Sequence, residues 1–240
     1  MASIIAQTAD ETQANPGVIV RRHPQTAWWR AAALWVALLA AVSVDAAATA
    51  WGCHGTKPGH PTAEERFAFI REVNQLAIKA ERTHGVPATV LAAMAIVESG
   101  YGWTRMALHA NNVFGWKFAS SVSEEGRKAY VPPCRRDRTN EGYAVFKSKA
   151  EAFDFVAAKL ATLDAYREYT ESYQAARKRG ESAEPALRAW LAGIAGRYSG
   201  KPAEFTKKIT RVMNNAIDPA DSVSPDYNLY HLSGASSFGR

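Results

Sequence analysis

The sequence predicts an α+β fold that is mainly helical with one small β lobe, and three observations carry that expectation. Apolar residues recur at helical spacing in five segments, two of them opened by Thr or Ser with Glu three residues on, the capping-box signature. Between residues 113 and 147 that spacing is lost: NNVFGWKFASS crowds aromatics together, and a Pro pair and the run YAVF follow among glycines. Hydrophobic residues make up 47% of the 240, enough for a sizeable core.

The elements follow in chain order. Residues 1–50 begin polar, turn basic and aromatic at RRHPQTAWWR, and continue as the uncharged run AAALWVALLAAVSV. That run is short of the ~20 residues that span a bilayer and suits the core of an export signal. Val44-Asp45-Ala46 followed by Ala47 fits signal cleavage. The alternative is an uncleaved anchor in contact with the inner membrane. Residues 51–61, WGCHGTKPGHP, read as a linker, in which His54 and His60 are expected to face water. Cys53 and Cys134 are the only cysteines, and nothing in the sequence pairs them.

Thr62 and Glu65 open a helix bearing Phe67, Ile70, Val73, Leu76, Ala77 and Ala80, which His84-Gly85 ends. Pro87 starts a second helix through Val90, Leu91 and Met94 to Glu98, stopped by Gly100 and Gly102. A short helix over 103–110 and the β region precede Ser148 and Glu151, which open a helix carrying Phe153, Val156 and Leu160. Two more are expected near 184–195 and 202–216. Residues 62–217 thus form one domain, and 218–240, rich in Ser, Gly and Asp, a flexible tail.

The net charge of +6 favours an anionic partner: nucleic acid, a lipid surface or a wall polymer. No RNA-binding signature, zinc-finger spacing or basic heptad pattern is present, which sets nucleic acid aside. No His or Cys cluster has metal spacing, so the reading calls for no metal and no organic cofactor.

One carboxylate stands out. In VPATVLAAMAIVESGYG, Glu98 shares a helical stripe with Leu91, Met94 and Ala95, so it points the way the core residues point. It also sits in a last turn, where the helix dipole disfavours negative charge. Both effects stabilise the neutral acid and raise its pKa. A carboxyl kept protonated is what donation to a leaving glycosidic oxygen requires, and the glycines after it would let a sugar chain approach the backbone. The alternative is a Glu that caps a neighbouring loop.

The block Val86-Pro87, Glu98-Ser99-Gly100-Tyr101-Gly102, Ala107, Asn111-Asn112 and Phe114-Gly115-Trp116-Lys117 resembles the glucosaminidase family of peptidoglycan hydrolases, which includes a flagellar rod-associated hydrolase and many autolysins. YAVFKSKAEAFDFVAAKL and GRYSGKPAEFTKKI extend the resemblance over about 65–216. It implies a lysozyme-like helical domain and cleavage of the β-1,4 bond after N-acetylglucosamine in peptidoglycan glycan strands, for wall opening or remodelling, alone or for a wall-spanning assembly. The protein would then work in the periplasm or cell wall. By the resemblance Glu98 is the general acid and Tyr198 the cleft tyrosine.

The family's second carboxylate has no clear match here. Glu124, Glu125, Asp137 and Glu141 are all available in the β region, with Glu125 and Glu124 preferred as catalytic candidates. Tyr101, Trp103, Trp116 and Tyr143 have the apolar face and polar handle that suit a pyranose ring. Phe114 reads as core beneath the β lobe. Asn111 and Asn112 either position an acetamido group or brace the loop. Tyr101, Asn112, Phe114, Trp116 and Tyr143 make the candidate substrate-binding set. Two rivals stay open: a lytic transglycosylase, against which NNVFGWK argues, and a non-catalytic wall-binding module.

Overall fold

The computed structural model describes residues 51–120, 124–133, 142–220 and 222–234. The expected export segment therefore lies outside the described residues, as do Cys134, Asp137 and Glu141. Among the described residues no helix is long and apolar enough to cross a membrane.

The fold is α+β and mainly helical, as the periodicity predicts. The order is α1 (Ala63–His84), α2 (Ala88–Ser99), α3 (Arg105–Ala110), β1 (Ala129–Tyr130), β2 (Tyr143–Ala144), α4 (Lys149–Thr162), α5 (Arg167–Lys178), α6 (Ala183–Tyr198), α7 (Pro202–Asn214) and a 3₁₀ turn, Tyr230–Ser233. The first capping box closes in both directions, whereas at the second only the Ser148 cap forms and the Glu151 carboxylate accepts from the Lys147 N–H instead. Thr62 accepts from the Glu65 N–H while the Glu65 carboxylate accepts from the Thr62 N–H, and Ser148 accepts from the Glu151 N–H.

Helix α2 is the centre of the molecule. Its residues from Ala88 to Ile96 are buried on every face, against α1, α7 and the 3₁₀ turn, which is why they read as a continuous apolar run. Its N-terminus has no side-chain cap of its own. The orphan donors are met from afar: the Ala88 N–H bonds to a Glu81 carboxylate oxygen at 3.1 Å and the Thr89 N–H to Ser233 Oγ at 3.0 Å. At its other end Ser99 Oγ donates to the Ala95 carbonyl and accepts the Gly102 N–H, closing the turn that follows Glu98.

The β lobe is minimal. β1 and β2 pair antiparallel, Ala129 opposite Ala144 and Tyr130 opposite Tyr143, and Lys117 bridges Tyr143 from the other side. This brings the 115–118 turn next to the end of α2.

Three regions differ from expectation. The apolar spacing does not predict α5; its buried stripe is Thr170, Tyr173 and Ala176, which is too polar to register as an apolar period. The segment 51–61 is not a loose linker. Thr56 bridges Thr104, the Lys57 N–H donates to the Trp103 carbonyl at 2.9 Å, and the His60 ring stacks on Trp103 at 3.8 Å. The tail is not free from residue 218 either: Leu229 and Tyr230 are buried in the core, and Thr89 Oγ1 donates to the Leu229 carbonyl.

Candidate active site

Glu98 opens into a cleft of about 480 Å³ formed by the end of α2, the 114–117 turn, β2, and the α6–α7 junction. Tyr198, Tyr143, Phe114, Gly115 and Lys117 line it, with Lys201, Glu204 and Lys208 from the junction. An adjoining cavity of about 500 Å³ shares Gly115, Lys117 and Tyr198 and adds Trp116, Glu124, Lys159 and Arg197. Together they make one groove with the Gly115–Lys117 turn at its middle.

The Glu98 carboxyl meets no hydrogen bond or ion pair among the described residues. Burial pushes its pKa above the ordinary carboxylate value, partly offset by the Lys208 ammonium. The helix-end position expected from the sequence is realised, with Gly100 as a left-handed cap at φ 54°. Room beside the carboxyl comes from Gly115, not from the glycines after Glu98. A Cβ on Gly115 would stand 3.2 Å from Glu98 Oε2, whereas the spaces at Gly100 and Gly102 are filled by the Thr56 methyl and the Phe69 ring.

Tyr198 ends α6 and donates its hydroxyl to the Phe114 carbonyl at 2.8 Å, which ties that helix to the turn facing Glu98. Burial, with Glu98 and Tyr166 nearby, pushes its phenol well above the ordinary value, so it stays a neutral donor. Phe114 is core, edge-on to Phe153, and reaches the cleft at the turn. Tyr143 accepts from Lys117 Nζ at 3.2 Å, and that ammonium also lies 4.3 Å over the Tyr143 ring. Trp116 belongs to the adjoining cavity, where its indole N–H donates to a Glu124 carboxylate oxygen at 3.1 Å.

Three of the residues expected in the site are placed elsewhere. Glu125, at φ 54°, turns away from its neighbour Glu124: its exposed carboxylate pairs with Lys159 at 3.1 Å and Arg127 at 3.2 Å, which lower its pKa. Glu124 is the one that is buried and borders the groove. Tyr101 lines neither cavity, donating to the Ala216 carbonyl at 2.8 Å beneath the Arg66 guanidinium. Asn112 is fully buried and braces the turn, donating to the Trp116 and Ala144 carbonyls and accepting the Trp116 N–H, all at 2.9 Å. Its amide is spent on the fold, which is the bracing role of the two expected for it.

The sequence does not mark several cleft residues, Glu204 and His54 among them. Glu204 sits in the first turn of α7, paired with Lys201 at 3.3 Å, and only its place three residues after the α6–α7 break hinted at the cleft. His54 reaches the cleft from the segment read as a linker, and no local pattern marks it.

The description "Mannosyl-glycoprotein endo-beta-N-acetylglucosaminidase" belongs to the glucosaminidase family model that matches residues 74–217. Among solved structures, the chain is similar to the catalytic domain of the autolysin Auto from Listeria monocytogenes, at 18% identity and a TM-score of 0.46, over 71% of this chain and 90% of that one. It is also similar to an N-acetylmuramoyl-L-alanine amidase from Staphylococcus aureus, at 14% identity and a TM-score of 0.44, over 73% of this chain and 48% of that one. No curated protein matches it.

Proposed function

The chain belongs to the glucosaminidase family, and on that premise we propose that it hydrolyses the β-1,4 bond after N-acetylglucosamine in peptidoglycan, for local opening or remodelling of the wall. The observation that carries this reading is the unpartnered Glu98 carboxyl, raised in pKa by burial, at the floor of an open groove. A neutral carboxyl there donates its proton to the departing glycosidic oxygen as the bond to the anomeric carbon breaks. Water then adds at that carbon and gives up its own proton. For that second step we assign Glu124, whose carboxylate is held by the Trp116 indole N–H and borders the same groove.

Tyr198 acts through the turn: its bond to the Phe114 carbonyl sets how close Gly115 stands to Glu98. Tyr143 and Trp116 offer faces for sugar rings, and the Lys and Arg residues along the groove suit a glycan that carries carboxylates. We place the work outside the cytoplasm, in the periplasm or wall. The uncharged run at 31–44 and the disulfide-bonded state of Cys53 both fit export to an oxidising compartment.

The test is the mass of the soluble products released from purified peptidoglycan. Fragments ending in reducing N-acetylglucosamine establish the reading. Anhydro fragments would make the protein a transglycosylase, and no fragments with wall binding retained would make it a binding module.

A further inference from the structure

The segment 51–61 lies N-terminal to the region that matches the family, residues 74–217, yet one of its residues, His54, lines the cleft. It is fastened along its length. The Arg105 guanidinium lies 3.9 Å over the Trp51 ring and donates to the Trp51 carbonyl at 3.0 Å. Cys53 is disulfide-bonded. Thr56 bridges Thr104 and packs its methyl where a side chain on Gly100 would be, two residues past Glu98. His60 stacks on Trp103 and bonds Glu65 at 2.9 Å. Between the disulfide and the Thr56 bridge, His54 borders the same cavity as Glu98, Tyr143 and Tyr198.

We propose that residues 51–61 form a wall of the substrate cleft and that His54 is a substrate-contacting residue that sets how a glycan sits beside Glu98. The inference rests on the reading of the Glu98 cleft as the glycan site. An imidazole nitrogen can bond a hydroxyl or an acetamido group of an amino sugar, and the ring lies where such a group would pass. The fastenings hold the segment in place before a glycan arrives, so little ordering cost falls on binding. The wall therefore acts on binding, while the proton donor stays Glu98.

The experiment uses the full chain carrying Glu98→Gln, which separates binding from turnover, and measures pelleting with insoluble peptidoglycan. Adding His54→Ala is expected to weaken binding about three- to tenfold, the worth of one hydrogen bond. Adding Trp51→Ala, which removes the ring beneath Arg105 but keeps the carbonyl that Arg105 bonds, is expected to weaken it by a smaller factor. In the chain with Glu98 intact, His54→Ala should raise KM by that factor and leave kcat within about twofold. Unchanged binding and unchanged KM in the His54 variant overturn the proposal. If the parent releases no fragments while His54→Ala still weakens pelleting, the wall proposal stands and the hydrolase reading fails.

Discussion

Two carboxylates stand at the two ends of α2, and they are used in opposite ways. Glu81, from the last turn of α1, faces the N-terminus of α2 and accepts three hydrogen bonds: from the Tyr173 hydroxyl at 2.6 Å, the Ala88 N–H and the Ser233 hydroxyl. Negative charge is welcome there, because the helix dipole presents its positive end. Glu98, in the last turn of the same helix, faces the negative end and meets no such partner. The first holds α1, α2, α5 and the C-terminal segment together. The second is desolvated with only the Lys208 ammonium as partial offset, which is a cost to folding and the condition for donating a proton. A carboxylate's partners, more than its burial, separate the two roles.

The comparison breaks if Glu98 proves to be structural. Glu98→Gln keeps the shape but removes the acidic proton, and is expected to lower kcat by about 10²–10⁴-fold. Its effect on stability has a definite sign. With a folded-state pKa above the unfolded one, Glu98 costs nothing below the unfolded pKa, and stability falls as pH rises through the folded pKa. Gln removes that fall, so the variant should melt at or above the parent at neutral pH, and the gap should close in acid. Thermal melts from acid to neutral pH check this. A variant that melts lower at neutral pH would mean Glu98 holds structure.

Glu81→Ala should do the reverse. It strips the Ala88 N–H and the Tyr173 and Ser233 hydroxyls of their acceptor, for a loss of about 2–4 kcal/mol in unfolding free energy, read by denaturant titration. Activity per folded molecule should stay near the parent's, since Glu81 lies at the far end of α2 from the groove. A large fall in kcat with stability unchanged would reverse the two assignments.

How much of this contrast is legible in the sequence depends on how local the signal is. The apolar run of α2, its stop at Gly100 and the inward stripe that ends in Glu98 are encoded within a dozen residues, and so is the capping box at Thr62. Glu81 carries no such mark, because its partners are 7, 92 and 152 residues away. The same holds for the segment 51–61, fixed by backbone bonds and a ring stack on Trp103, and for Leu229 and Tyr230, too short a patch to show a period. Glu124 and Glu125 show the limit most sharply. Adjacent and identical in type, they are sent to different surroundings by one left-handed residue, which no spacing rule foretells.

The finest test of the contrast is Gly115. Glu81 is ringed by donors, whereas Glu98 is faced by a residue with no side chain, at φ 61°. Gly115→Ala sets a methyl 3.2 Å from Glu98 Oε2 and costs about 1 kcal/mol or more in the left-handed backbone alone. The neighbour must give way, and the movable one is the Glu98 side chain, because the turn is held by Tyr198 and Asn112. A fall in kcat larger than the stability loss accounts for, with KM little changed, is the expected outcome of steady-state kinetics at a temperature where the variant is fully folded. If kcat holds, the space beside the carboxyl is not what keeps Glu98 ready, and its readiness comes from burial alone.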